Sequence, residues 1–157
     1  MVKLGLISDS HCGEIWVDRF LALANREKYD TVFFMGDGES DARWLEKRLK
    51  MQLVWVAGNC DYYSKQAREM TAGFEGHRII VVHGDRWDVR WGYERLSYHA
   101  EESGADIALF GHTHRPFAGY CGGTLMINPG ALMDGRYGEL ILDGRRVVPC
   151  LKSLKDG

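Results

Sequence analysis

No apolar run in the 157 residues approaches the roughly 20 needed to cross a bilayer as a helix, so no membrane span is expected. The opening Met1-Val2-Lys3-Leu4-Gly5-Leu6-Ile7 is too short for the apolar region of a signal peptide and runs straight into polar residues. Charge of one sign is missing too. Twenty Lys and Arg against 22 Asp and Glu leave a formal net charge of −2. That removes the electrostatic case for nucleic acid or an anionic membrane as a bulk partner. Cys12, Cys60, Cys121 and Cys150 form no CxxC pair, so neither a zinc knuckle nor a thioredoxin-like dithiol is indicated. With no export signal, the thiols are expected to be reduced and the compartment cytoplasmic. There is no Pro/Ser-rich linker, low-complexity tract or internal repeat. One domain over 1–157 is expected, with a frayed tail from about Lys152. A homo-oligomer is compatible with the sequence.

What is present is an alternation of short apolar runs and helical stretches. Lys3–Ile7, Thr31–Met35, Gln52–Ala57, Arg78–Val82 and Ile107–Phe110 read as buried strands. A helix is expected from about Ile15 to Arg26, where Trp16, Phe20, Leu23 and Ala24 recur at helical spacing. A second, capped by Ser40 or Asp41, runs through Trp44, Leu45 and Leu49. A short one covers Tyr62–Met70, and another runs from about Trp91 to Ser103, stopped by Gly104. Thr71–Glu75 reads as an edge strand. After Phe117 the character changes. Phe117–Cys121 and Thr124–Ile127 flank Gly122-Gly123 as a hairpin. Glu139–Leu142 and Arg145–Leu151 flank Asp143-Gly144 as a second, with a type I′ turn. The class is α/β, with antiparallel strands added at the end.

Five of the apolar runs end in polar clusters: Asp9 and His11, Asp37, Asn59, His83, and His112 with His114. In α/β sheets, ligands bind beyond the carboxyl ends of the strands. Asp9/His11 and His112/His114 are i, i+2 pairs, which in extended chain point the same way. An isolated HxH is most often a pair of surface histidines. A Gly-Asp-Gly or Gly-Asn is most often a turn. What changes the balance is that all five lie at the same kind of strand end. His77 and His99 lie off the pattern and read as ordinary side chains. Two Asp, one Asn and four His exceed a tetrahedral zinc site and suit two ions sharing a carboxylate. Oxygen and nitrogen donors without cysteine favour divalent Mn, Fe, Ni or Zn over softer ions without selecting among them, and Mn is the first expectation.

The ordered set DxH, GD, GNxD, HG and GHTH resembles the calcineurin-like metallophosphoesterases. The short chain, with Asn128-Pro129-Gly130 after a hairpin, is similar to their small single-domain phosphodiesterase branch of YfcE type. The similarity runs from Leu4 to about Leu142. It implies a four-layer α/β/β/α sandwich of two mixed sheets flanked by helices. It implies Asp9, His11 and His114 on one metal, Asn59, His83 and His112 on the other, and Asp37 bridging. It further implies in-line attack on a phosphoester by a hydroxide held between the ions, with Asn59 also touching the phosphate. One position departs from the better-known phosphatases of the family. Where they carry a histidine able to protonate the leaving group, this chain has Cys60. The expected substrate is a small-molecule or nucleotide phosphoester, most readily a diester. The competing readings are a phosphomonoesterase and a non-catalytic scaffold, since a retromer subunit resembles this branch. Arg86, Arg90, Arg115 and Arg136 are candidate phosphate contacts, Arg115 first because it adjoins His114. Trp87 and Trp91 are candidates to stack on a base or aryl group, with helix or core packing as the alternative.

Overall fold

The computed structural model describes residues 1–156. Among them, ten strands and three α-helices form two five-stranded sheets and their covers. The first sheet contains β1 (Val2–Ile7), β2 (Thr31–Phe34), β3 (Gln52–Trp55), β9 (Arg136–Asp143) and β10 (Arg146–Ser153), in the order β10-β9-β1-β2-β3. The second contains β4 (Glu69–Phe74), β5 (His77–Val82), β6 (Ile107–Leu109), β7 (Phe117–Cys121) and β8 (Thr124–Asn128), in the order β4-β5-β6-β8-β7. Both sheets are mixed. β1, β2 and β3 run parallel, as do β5, β6 and β8, while β9, β10, β4 and β7 join antiparallel.

The side-chain alternation of a strand builds the layers. Leu4 and Leu6 face Ile79, Val81, Ile107 and Leu109 in a core between the two sheets. Their neighbour Ile7 points the other way, with Val32 and Phe34, under α1 (Glu14–Glu27) and α2 (Glu39–Glu46). Ile80, Val82, Ala108 and Met126 take Leu96 and Ala100 of α3 (Glu94–Glu102). Three cores between four layers give the α/β/β/α sandwich. A strand buried on both faces must be apolar throughout, which is why these runs are continuous rather than alternating.

Five expectations differ from the structure. α2 starts at Glu39 after Gly38, so Ser40 and Asp41 lie inside its first turn, and it ends at Glu46, short of Leu49; distant Asp61 takes the first N–H groups in place of a local cap. Tyr62–Met70 is irregular, and Glu69 already begins β4. No apolar face recurs there at helical spacing, and local polar contacts take over: Gln66 donates to Trp55 O, and Arg68 to Gly58 O. α3 starts at Glu94 rather than Trp91. A 3₁₀ turn over Asp85–Trp87 precedes it, and Gly92, at φ +150, breaks the path. The last hairpin pairs Asp143 with Arg146, so its turn residues are Gly144 and Arg145. Of the two only Gly144 has positive φ, the signature of a type II′ turn rather than I′. The tail is docked, not frayed: β10 runs to Ser153, and buried Leu154 donates its N–H to Gly135 O at 2.7 Å.

Candidate metal centre

The carboxyl ends of β1, β2, β3, β5 and β6 meet at one rim, and the polar clusters meet there with them. The chain does not leave these strands extended. Asp9, His11, Asp37, His112 and His114 all adopt left-handed φ, between 44° and 70°. Non-glycine residues rarely do so, and each such position costs on the order of 1–3 kcal/mol. The paired residues therefore converge because of sharp left-handed turns. The i, i+2 alternation of extended chain does not apply here: Asp9 and His11 fall in one trio, while His112 and His114 fall in different ones.

Two trios result, each with its donor atoms within 4.8 Å of one another: Asp9, His11 and His114, and Asp37, His83 and His112. In the first, Asp9 Oδ1 lies 3.2 Å from His114 Nε2 and 3.6 Å from His11 Nε2. In the second, Asp37 Oδ2 lies 3.2 Å from His83 Nε2, and His112 Nδ1 is 3.3 Å from that same His83 nitrogen. The trios are joined. Asp37 Oδ2 is also 3.6 Å from His11, and Asp9 Oδ1 is 3.8 Å from His83. Cys60 Sγ forms a further trio with His11 and Asp37, a proximity that residue spacing did not reveal. Asn59 lies exposed on the same loop; its amide donates to Cys60 Sγ at 3.6 Å.

The donor set fits cations. Asp9 is fully buried and its Oδ1 has no hydrogen-bond partner. Its other oxygen is taken by the Ser8 hydroxyl at 2.6 Å and the His112 N–H at 3.0 Å. A buried, unpaired carboxylate oxygen costs free energy unless something positive meets it. His83 Nδ1 lies 2.7 Å from Met35 O, so it carries the proton and leaves Nε2 free to ligate. The titration shifts agree. Burial alone would raise Asp37, but the hydrogen bond and charge of His83 hold it at about 2. Burial opposes the charge on His83, yet Asp37 and Asp9 raise it to about 9. Asp9 is held low by His114 and His83 against its own burial. His112 is lowered, by burial first and then by the charges of His83 and Arg90. A proton on His83 thus does part of what a cation would do here.

Three residues that sequence reasoning left without a role hold the loops. Buried Asp61 accepts four backbone N–H groups. Oδ2 takes those of Asp37 and Gly58 at 2.8 Å, and Oδ1 those of Gly38 and Glu39 at 3.0 Å. It clamps the loop after β2 to the loop after β3. Buried Asn128 donates to Gly111 O and Thr113 Oγ1, both at 3.0 Å, and accepts from Gly130 N–H at 2.9 Å. That fixes the histidine loop. Ser8 fixes Asp9. The signal for Asp61 was its place in Gly-Asn-Cys-Asp, and for Asn128 its place before Pro-Gly. Nothing local distinguished Ser8. Gly58 is required by contact: a Cβ there would overlap Asp37 Oδ1.

Two clefts of about 440 Å³ each flank the trios. One is lined by Cys12, Asp37, Glu39, Cys60, Asp61 and Tyr62. The other, lined by Arg90, Trp91, Tyr93, Thr113 and Arg115, begins at the histidine loop. Arg86 and Arg136 are exposed and line neither. Trp87 stacks on His99 at 4.0 Å in a separate groove with Arg95 and Tyr98, not at the metal centre. His77 bridges Asp106 and Gly144 O, and His99 meets Glu69; both lie away from the trios, as expected.

A family description of the calcineurin-like phosphoesterase superfamily domain matches residues 2–142. The probable metallophosphoesterase YsnB of Bacillus subtilis is 32% identical over 127 residues, 81% of this chain and 73% of that protein. A conserved protein of Streptococcus pneumoniae, crystallised as a predicted phosphoesterase, superposes with TM-score 0.83 at 27% identity. The match covers 98% of this chain and 90% of that one. Vps29 of Entamoeba histolytica, crystallised with Zn²⁺, superposes with TM-score 0.80 over 99% of this chain and 94% of its own. At 20% identity that likeness speaks for the fold alone.

Proposed function

The chain belongs to the calcineurin-like phosphoesterase superfamily and is accordingly a metallophosphoesterase; from that premise we propose that it is a dinuclear phosphodiesterase. The observation that carries the reading is the pair of joined trios, with buried Asp9 Oδ1 facing the imidazole nitrogens of His114, His11 and His83. Asp9, His11 and His114 hold one divalent ion. His83 and His112, with Asn59, hold the other, and Asp37 spans both. Bound there, the ions would supply an activated water and neutralise charge on the phosphoryl oxygens. Manganese is the first choice, with iron, nickel or zinc as alternatives.

The residues do the rest. Asp37 reaches both trios with Oδ2 while Oδ1 accepts the Cys60 N–H at 2.8 Å, so its carboxylate is held in place. Asn59, on the same loop, offers an uncharged amide to the phosphate and does not repel it. Cys60 is a poor proton source for a departing alkoxide. Burial and the neighbouring Asp37 carboxylate push its thiol up. Asp61 is no substitute, since its carboxylate is committed to four N–H groups. The site thus favours esters whose leaving oxygen needs little help, aryl diesters ahead of alkyl phosphates. The free state of all four cysteines agrees with a reducing, cytoplasmic setting.

The test is turnover of bis(p-nitrophenyl) phosphate and p-nitrophenyl phosphate by metal-stripped and Mn²⁺-restored protein. The reading expects no turnover when stripped, recovery with Mn²⁺, and the diester ahead. A non-catalytic scaffold of the same fold would turn over neither ester, with or without Mn²⁺.

A further inference from the structure

The two clefts beside the trios differ in charge. The one lined by Asp37, Glu39 and Asp61 carries no Lys or Arg to meet the remainder of an anionic substrate. The other carries Arg90 and Arg115, neither of which forms an ion pair among the described residues, whereas neighbouring Arg95 is taken by Asp88. Guanidinium groups without an ion-pair partner in one groove suit phosphate, which they can grip with two N–H donors each. The same groove is lined by Trp91, 90% exposed, and by Tyr93, whose ring is braced against Phe110 at 5.0 Å and Phe117 at 4.7 Å. The exposed indole presents a flat face on which a base can stack. The groove adjoins the histidine loop of the metal centre through Thr113. Thr113, on its wall, sits between His112 and His114, and its hydroxyl accepts from Asn128 and from the Arg115 N–H at 3.1 Å.

We propose that this groove is a nucleotide subsite: the base of the substrate stacks on Trp91, and a phosphate other than the scissile one lies between Arg90 and Arg115. A volume of about 440 Å³ fits one nucleotide rather than a strand, and the net charge of −2 gives a strand no wider footing. The inference rests on the phosphoesterase reading and names the substrate class for it: a small nucleotide carrying a second phosphate.

Calorimetry on Mn²⁺-loaded protein tests it with two probes that resist hydrolysis. One is α,β-methylene-ADP, which has a base and two phosphorus groups. The other is methylenediphosphonate, which has the phosphorus groups alone. A stacked base is worth roughly five- to a hundredfold in affinity. The nucleotide probe should therefore bind at least about fivefold tighter, a ratio scaled from the same stacking term. Trp91→Ala should collapse that ratio towards one, and Trp91→Phe should restore part of it. Arg90→Gln with Arg115→Gln should weaken both probes. Equal affinity of the two probes for the unmodified protein would overturn the proposal, as would a Trp91→Ala variant that shifts both alike. Tighter binding of a short single-stranded oligonucleotide than of the nucleotide probe would also overturn it. Aryl diester turnover on the same preparation keeps the two claims separate: its absence overturns the phosphodiesterase reading, and the probe ratio still decides the subsite.

Discussion

Asp61→Asn is the sharpest perturbation of the frame that holds the centre. The amide is isosteric, but only one of its ends accepts hydrogen bonds. Its oxygen should stay with the fully buried N–H groups of Asp37 and Gly58, and its NH₂ should face those of Gly38 and Glu39. Those two donors then lose their partner. They are only half buried, so water compensates in part. An unmet buried donor costs about 1–3 kcal/mol, so the low end applies to each. The carboxylate also sits at the N-terminus of α2, where its charge is worth about 0.3–1 kcal/mol. The total is about 2–3 kcal/mol, which for a chain of this size lowers Tm by roughly 5–10 °C. Because Asp37 is held at φ +64 by this clamp, metal affinity should fall with it. Scanning calorimetry on stripped and Mn²⁺-loaded protein, with metal analysis of both, measures each part. A Tm within about 2 °C of the unmodified protein, at unchanged metal content, would refute the clamp.

Other outcomes follow from the same geometry. Gly58→Ala drives a methyl group into Asp37 Oδ1 and should cost about 1–3 kcal/mol and displace the carboxylate. A metal content equal to that of the unmodified protein would contradict that contact. The pH dependence of metal binding follows from His83. Its pKa is raised to about 9, so in metal-free protein its stabilisation is complete below about 6.5 and lost as pH rises through 9. Asp37, lowered to about 2, gives stabilisation that is present above its ordinary value and lost as pH falls through 2. A metal must expel the His83 proton, so apparent affinity should rise at least about tenfold per pH unit up to 9. A flat titration from pH 6.5 to 9 would count against it. Cys60→His supplies an imidazole near neutrality, and general acid catalysis is worth about 10²–10⁴-fold. It should flatten the dependence of rate on leaving-group pKa. An already flat series for the unmodified enzyme would mean that another group donates the proton.

The layers were legible because burial on both faces writes itself into composition. Ile79-Ile80-Val81-Val82 could only be a doubly buried strand, and its alternate residues do feed two different cores. The rim was legible because acids and histidines followed such runs. What stayed hidden depends on contacts distant in sequence. Asp61 serves donors 22 to 24 residues away, and Asn128 serves a loop 15 to 17 residues back. No local pattern announces a partner at that range. The left-handed φ of Asp9 and His114 was hidden as well, since such turns in non-glycine residues are imposed by tertiary contacts, not by propensity. Trp87 and Trp91 looked alike in the chain. Only the fold sends one onto His99 and leaves the other in water beside the histidine loop.

Whether Asp37 spans two metal sites is measured by metal stoichiometry paired with turnover. The unmodified protein and Asp37→Asn are stripped, reloaded with Mn²⁺, freed of excess metal and analysed per chain, then assayed with an aryl diester. The account predicts two ions and turnover for the unmodified protein, and for Asp37→Asn the loss of at least one ion together with the activity. Both ions retained by Asp37→Asn with turnover unchanged would contradict it.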